Sequence, residues 1–185
     1  MNRIGDWVET YTGRRFWPLD PRPEEVCIED IAHALSLVCR FNGHCKHFYS
    51  VAHHSLLCAV LASYREYNYR IRLLALLHDA AEAYASDIMR PIKPFINGYI
   101  EIENKIYDAI LESFGIRKAT EKEKAIVDEL DTIMLATEAK QIMPFKGWKS
   151  LPYPPDEKII ISNTAPGMME NVFNARFKKY LSKIS

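Results

Sequence analysis

Apolar residues recur at helical spacing along most of the chain, with polar positions between them. Ile28, Ile31, Leu35 and Val38 fall three and four apart and predict one face of a helix ending near Phe41-Asn42-Gly43, where Asn-Gly is the stop signal. Ser50 is a candidate N-cap for a second helix running through Val51, His54, Leu57, Cys58 and Leu61 to about Glu66. A third is predicted from Asn68 to Ala85. Its run through Leu73, Leu74, Leu76 and Leu77 is apolar nearly all round, which makes it the expected central helix. Two amphipathic segments follow, about Tyr99 to Phe114 closed by Gly115, and about Glu121 to Met143 closed by Pro144. The last helix, about Met168 to Leu181, offers Met169, Val172, Phe173 and Phe177 for docking.

Prolines interrupt this pattern in three places. Residues 1–28 carry Pro18, Pro21 and Pro23 among Trp7, Tyr11, Phe16 and Trp17, which reads as an irregular strap whose aromatics pack on the helical body. Pro91 and Pro94 frame a short basic loop with Arg90 and Lys93. Residues 144–167 carry Pro144, Pro152, Pro154, Pro155 and Pro166 and predict a loop with a short extended piece at Ile159 to Ile161. The expectation is an all-α single domain over residues 1–185, of about six helices. A chain of 185 residues buries roughly 70% of its unfolded surface, so the core requires neither disulfides nor a structural metal. Any metal is free to do chemistry.

Composition narrows the function classes. With 48% hydrophobic and 26% charged residues the chain is an ordinary globule, which excludes disorder and fibrous repeats. Its 24 basic residues cancel its 24 acidic ones. Without a broad positive field, a nucleic acid polymer is not the expected partner, and a small anionic ligand would be held by a few local charges. No apolar run approaches the ~18 residues of a membrane span, and Asp6 and Glu9 stand where a signal peptide would be apolar, so no membrane contact and a cytoplasmic address are expected. Cys27, Cys39, Cys45 and Cys58 form no C-x-x-C pair, which points to reduced thiols.

Against this background His78 and Asp79 stand out, because they follow Leu74-Ala75-Leu76-Leu77 on the most apolar segment, with Glu82 one turn on. Buried ionisable groups persist when paired or when they coordinate a cation. His54 on the preceding helix and Asp131 beside Leu130, Ile133 and Met134 complete a candidate set. Each also has a plain structural reading, His54 as a hydrogen-bonded core histidine and Asp131 as part of an acidic face with Asp128 and Glu129. Two imidazoles and two carboxylates suit one divalent cation, with zinc, manganese, cobalt, iron and magnesium all open and magnesium least at home on histidine. Tyr49, Tyr84 and Tyr99 lie near these motifs and read as packing residues.

The histidine in Ser50-Val51-Ala52-His53-His54-Ser55, then His78-Asp79-Ala80-Ala81-Glu82, then Leu130-Asp131-Thr132 form an ordered set. It resembles that of the HD-domain metal-dependent phosphohydrolases, above all the small bacterial and prophage 5′-deoxynucleotidases and their dATP-hydrolysing phage relatives. Further pieces agree in order from Thr12-Gly13-Arg14-Arg15-Phe16-Trp17 through Cys39-Arg40-Phe41-Asn42-Gly43-His44 and Ser86-Asp87-Ile88-Met89-Arg90-Pro91-Ile92-Lys93 to Met134-Leu135-Ala136-Thr137-Glu138. The resemblance implies a helical HD-domain fold and one cation held by His54, His78, Asp79 and Asp131. It implies Glu82 and Asp87 as catalytic acidic residues. Arg40 and Phe41 match an Arg-Trp pair that contacts phosphate and the sugar or base, and Lys93 matches a phosphate-contacting lysine. With the aromatic-rich strap, it also makes a homodimer an expectation. Asp128 departs from the pattern, standing where relatives often carry lysine, and His53 stands where Glu or Gln is usual. The expected activity is release of phosphate from deoxynucleoside 5′-monophosphates. The alternatives are triphosphohydrolysis of a deoxynucleoside triphosphate, which Asp128 disfavours, and a non-catalytic nucleotide- or metal-binding module.

Overall fold

The computed structural model describes residues 3–144 and 153–184. Among them the architecture is all-α, with six helices of nine residues or more: α1 (Ile28–Leu37), α2 (Val51–Tyr64), α3 (Tyr69–Leu77), α5 (Tyr99–Ser113), α6 (Glu121–Gln141) and α7 (Pro166–Leu181). A single turn, α4 (Glu82–Ala85), stands between α3 and α5. No helix is long and apolar enough to cross a membrane among the described residues.

Helix starts follow local chemistry. The Ser50 side chain accepts from His53 N and the Asn68 side chain from Ile71 N, while Thr120 and Glu123 form a reciprocal capping box. Pro166 opens α7, where its missing N–H costs nothing. Helices α2 and α3 run through the middle. Leu73 to Leu77 are buried without a break, and α2 packs between α1, α3, α6 and α7. One apolar cluster joins Phe16, Leu35, Leu77, Ile106, Phe173 and Phe177, and a second joins Cys58, Leu61, Ala75, Leu130 and Met134.

Four expectations are corrected. The first helix stops at Leu37, short of Phe41-Asn42-Gly43, because Val38 to Arg40 turn to pair with Tyr49 to Val51: Cys39 bridges Ser50, Val51 N donates to Val38 O at 3.0 Å and Arg40 N to Tyr49 O at 2.9 Å. The chain reverses through a 3-10 turn at Arg40–Gly43 in which Phe41 (φ 53°) and Asn42 (φ 52°) are left-handed, a conformation costing a residue with a Cβ roughly 1–2 kcal/mol. The third helix does not reach Ala85. It ends at Leu77, and His78 to Ala81 form a tight turn closed by Ala80 N to Leu77 O at 2.9 Å and Glu82 N to Asp79 O at 3.0 Å.

The strap is less irregular and less buried than its composition suggests. It contains a two-residue antiparallel hairpin, β1 (Val8–Glu9) with β2 (Arg15–Phe16), in which Val8 faces Phe16 and Glu9 faces Arg15. Phe16 alone of its aromatics is fully buried, stacked on Tyr84 at 3.9 Å, whereas Tyr11 is 63% exposed. Finally, Ile159 to Ile161 form no strand. The Gln141 side-chain amide substitutes for one, donating to Ile159 O at 2.7 Å and accepting from Ile161 N at 2.9 Å. Of the predicted loop over 144–167, residues 145–152, Pro152 among them, lie outside the described residues.

Candidate metal centre

Two helices and a turn deliver donors to one point. Helix α2 carries His54 and, one turn on, Cys58; the turn after α3 carries His78 and Asp79; α6 carries Asp131 and, two turns on, Glu138. His54 Nε2 lies 3.2 Å from His78 Nε2, 3.1 Å from Asp131 Oδ1 and 3.7 Å from Asp79 Oδ2. His78 Nε2 lies 3.2 Å from Asp79 Oδ2 and 3.9 Å from Asp131 Oδ1. The four residues expected to hold a cation therefore converge.

The imidazole tautomers follow from the other ring nitrogens. His54 Nδ1 faces Glu138 Oε1, and His78 Nδ1 faces Ala75 O at 2.9 Å; both partners are acceptors, so each Nδ1 carries a proton. With Nδ1 so engaged, each Nε2 faces the shared space and is the nitrogen that would turn a lone pair to a cation there, giving up any proton it carries, the arrangement that orients histidine ligands around a metal. The surroundings favour positive charge there. Burial pushes the Asp79 carboxyl up, but His78, His54 and Arg40 outweigh it and hold the group below the usual carboxylate range. Asp131 is likewise depressed against burial, by His54 and His78. Burial lowers both imidazoles, yet the acidic neighbours raise His54 and His78 above the ordinary histidine value. Two nitrogen and two carboxylate donors with oriented imidazoles fit a divalent cation.

Arg40 joins this group. Its guanidinium reaches Asp79 Oδ2 at 3.3 Å and Glu138 Oε2 at 3.4 Å, and it lies 5.5 Å from the centre of the Phe41 ring. Glu138, fully buried, also accepts from Tyr49 Oη at 2.9 Å. Glu82 is buried, and one of its oxygens, Oε2, is buried without a hydrogen-bond partner among the described residues. Burial, with Asp79 and Asp87 nearby, pushes it up to about 10. Asp87 is half-buried and burial raises it as well. Lys93 is placed differently from the converging set: it forms an ion pair with Glu103 at 2.7 Å and sits 5.4 Å from the Tyr99 ring centre.

A cavity of about 590 Å³ opens at His78 between α3, α5 and α6, walled by Ala81, Glu103, Tyr107 and Asp128. That volume suits a small organic ligand. A second cavity, of about 510 Å³ beneath the hairpin against α1 and α4, touches none of the converging donors.

No protein-family model matches the chain. The uncharacterized protein YfdR of Escherichia coli (strain K12) is 36% identical over 174 residues, a match covering 92% of this chain and 93% of YfdR. The chain belongs to the YfdR family. The uncharacterized protein RCAP_rcc00048 of Rhodobacter capsulatus is 39% identical over 145 residues, covering 75% of this chain and 74% of the relative. Neither relative's name carries an activity, so chemistry in this YfdR-family protein is argued from its own side chains.

Three members of the centre escaped sequence reasoning. Cys58 reads from the sequence as a reduced thiol within an apolar stripe, although its place four residues after His54 puts both on one face of α2. Glu138 lay in a motif without a role, although seven residues, two turns, separate it from Asp131 on α6. Tyr49, read as packing, is fully buried but spends its hydroxyl on Glu138.

Proposed function

We propose that this protein is a metal-dependent phosphohydrolase that releases phosphate from deoxynucleoside 5′-monophosphates. The observation that carries the reading is the convergence of two oriented imidazole nitrogens and two ionised carboxylates with the Arg40 guanidinium beside them. A structural scaffold needs no such concentration of buried charge, which costs several kcal/mol per ion unless compensated. The resemblance to the HD-domain phosphohydrolases names the chemistry that this donor set suits.

His54, His78, Asp79 and Asp131 would hold one divalent cation, which supplies Lewis acidity toward a phosphoryl oxygen and lowers the pKa of water toward neutrality. Arg40 sets a fixed positive charge beside Asp79, where it offsets charge developing on the phosphoryl oxygens. Glu82 and Asp87 are the proton-transfer groups. Burial holds both above the usual carboxylate range, Glu82 up to about 10, so each is disposed to carry a proton it can give to a leaving oxygen. Such groups have no use in a pure binding module. Lys93, which the resemblance implies as a phosphate contact, would have to leave its ion pair with Glu103 to play that part. The nucleoside would occupy the cavity at His78, whose wall carries both acidic side chains, Glu103 and Asp128, and basic ones, Lys118 and Lys124.

The test is elemental analysis of the purified protein coupled with a phosphate-release panel of mono-, di- and triphosphates. Monophosphate turnover is expected; release of triphosphate would assign the dATPase-like reaction instead. Asp79→Asn is expected to lower metal content and abolish phosphate release while helical circular dichroism stays nearly unchanged. Unaltered turnover in that variant excludes this site.

A further inference from the structure

Cys58 is 1% exposed, and its sulfur lies 3.5 Å from His54 Nε2, the nitrogen that already faces His78 and Asp131. One ligand atom from each of His54, Cys58, His78 and Asp131 falls within 4.8 Å of the others. We propose that Cys58 is itself a ligand of the centre and that its sulfur makes the site prefer a thiophilic ion, such as zinc, iron(II) or cobalt(II), over manganese and magnesium. The inference rests on the metal-centre reading above and extends it from the presence of an ion to the class of ion.

The spacing carries the argument. Zinc–nitrogen and zinc–sulfur bonds of ~2.1 and ~2.3 Å put the two donors about 3.1–3.6 Å apart at the angles of roughly 90–110° found in four- and five-coordinate sites, and two such nitrogens about 3.0–3.4 Å apart. The chain holds its sulfur and nitrogen at 3.5 Å and its two imidazole nitrogens at 3.2 Å. Because His54 and Cys58 stand one turn apart on a buried, N-capped helix, their separation is a property of α2 rather than of a loop. Harder ions take carboxylate and water and gain little from sulfur, whereas thiolate selects zinc, iron and cobalt. On binding, the S–H bond breaks, a sulfur–metal bond forms and the proton leaves to water, with no change of oxidation state. The competing arrangement is a thiol that only donates a weak hydrogen bond to His54 Nε2.

The experiment titrates the full-length chain, stripped of metal by a chelator, with cobalt(II) and records the absorption spectrum. A near-ultraviolet thiolate-to-cobalt charge-transfer band that saturates at one equivalent is expected. It should vanish in Cys58→Ser, persist in Cys45→Ser, and be displaced by zinc. Competition between zinc and manganese should show the zinc preference falling at least about ten-fold in Cys58→Ser. Stoichiometric cobalt binding without the band, or an unchanged preference, overturns the role of Cys58 and leaves the metal centre standing. Absence of any bound cobalt, zinc or manganese overturns the centre and Cys58 with it. The band is read on the unaltered protein first, so a variant that misfolds does not decide the outcome.

Discussion

Around Phe173 the interior is apolar throughout: Phe16, Leu35 and Phe177 exclude water and need nothing from one another but contact. Around His54 the interior is polar instead: Tyr49, His54 and Glu138 are fully buried, with Arg40 and His78 half-buried beside them. In the first region each buried side chain contributes roughly 1.5–3 kcal/mol by leaving water. In the second, burial opposes the fold, and each charge is tolerated only because an opposite one meets it: Arg40 with Asp79 and Glu138, His54 with Glu138 and Asp131. The strained Phe41-Asn42 turn adjoins this polar side too. The apolar half holds the chain together, and the polar half draws on that stability to keep a charged constellation in place.

The sharpest way to break this contrast is Phe173→Ala. Removing a fully buried ring should cost about 3–5 kcal/mol in a urea melt while leaving metal affinity of the folded protein unchanged. A weakened metal site in that variant would show that the two halves are not separable. Next in size, Glu138→Gln removes the negative charge behind His54 and one counter-ion of Arg40, and should weaken metal binding about 10–100-fold by isothermal titration. Retained affinity would reduce Glu138 to a packing role.

The smallest effect lies away from both regions, at the capping box of α6. Bonds from Arg70 above all, and from Arg117 and the Thr120 N–H, outweigh burial and hold the Glu123 carboxyl below the usual range. A carboxyl depressed in the folded state stabilises above its unfolded pKa of 4.5, and that stabilisation fades as pH falls below it. Glu123→Gln should therefore cost on the order of 1 kcal/mol at pH 7, a gap that narrows as melts are repeated toward pH 3. A gap independent of pH would assign the cost to packing rather than charge.

Helices α5 and α6 were legible to within two residues at each end because periodicity and stop signals agree there, with Gly115 after one and Pro144 after the other. The end of α3 was not. Leu-Ala-Leu-Leu and Ala-Ala on either side of His78-Asp79 all favour helix, and no Gly or Pro marks the turn that follows Leu77, where tertiary packing overrides local propensity. Asp131 could be singled out because a carboxylate among Leu130, Ile133 and Met134 is conspicuous. Cys58 could not, since a buried thiol counts as apolar in any pattern, and its chemistry depends on what faces it from α3 and α6.

The turn between α3 and α4 also limits how this protein can be made more robust. Its bonds join residues three apart, Ala80 to Leu77 and Glu82 to Asp79, a tighter winding than the four-apart bonds of an α-helix, so a continuous rod from Tyr69 to Ala85 would set Asp79 differently against His78. Engineering for heat tolerance that strengthens local helicity there would straighten the segment and part the two side chains. Reinforcement belongs at the far ends of the bundle, in the hairpin and along α7.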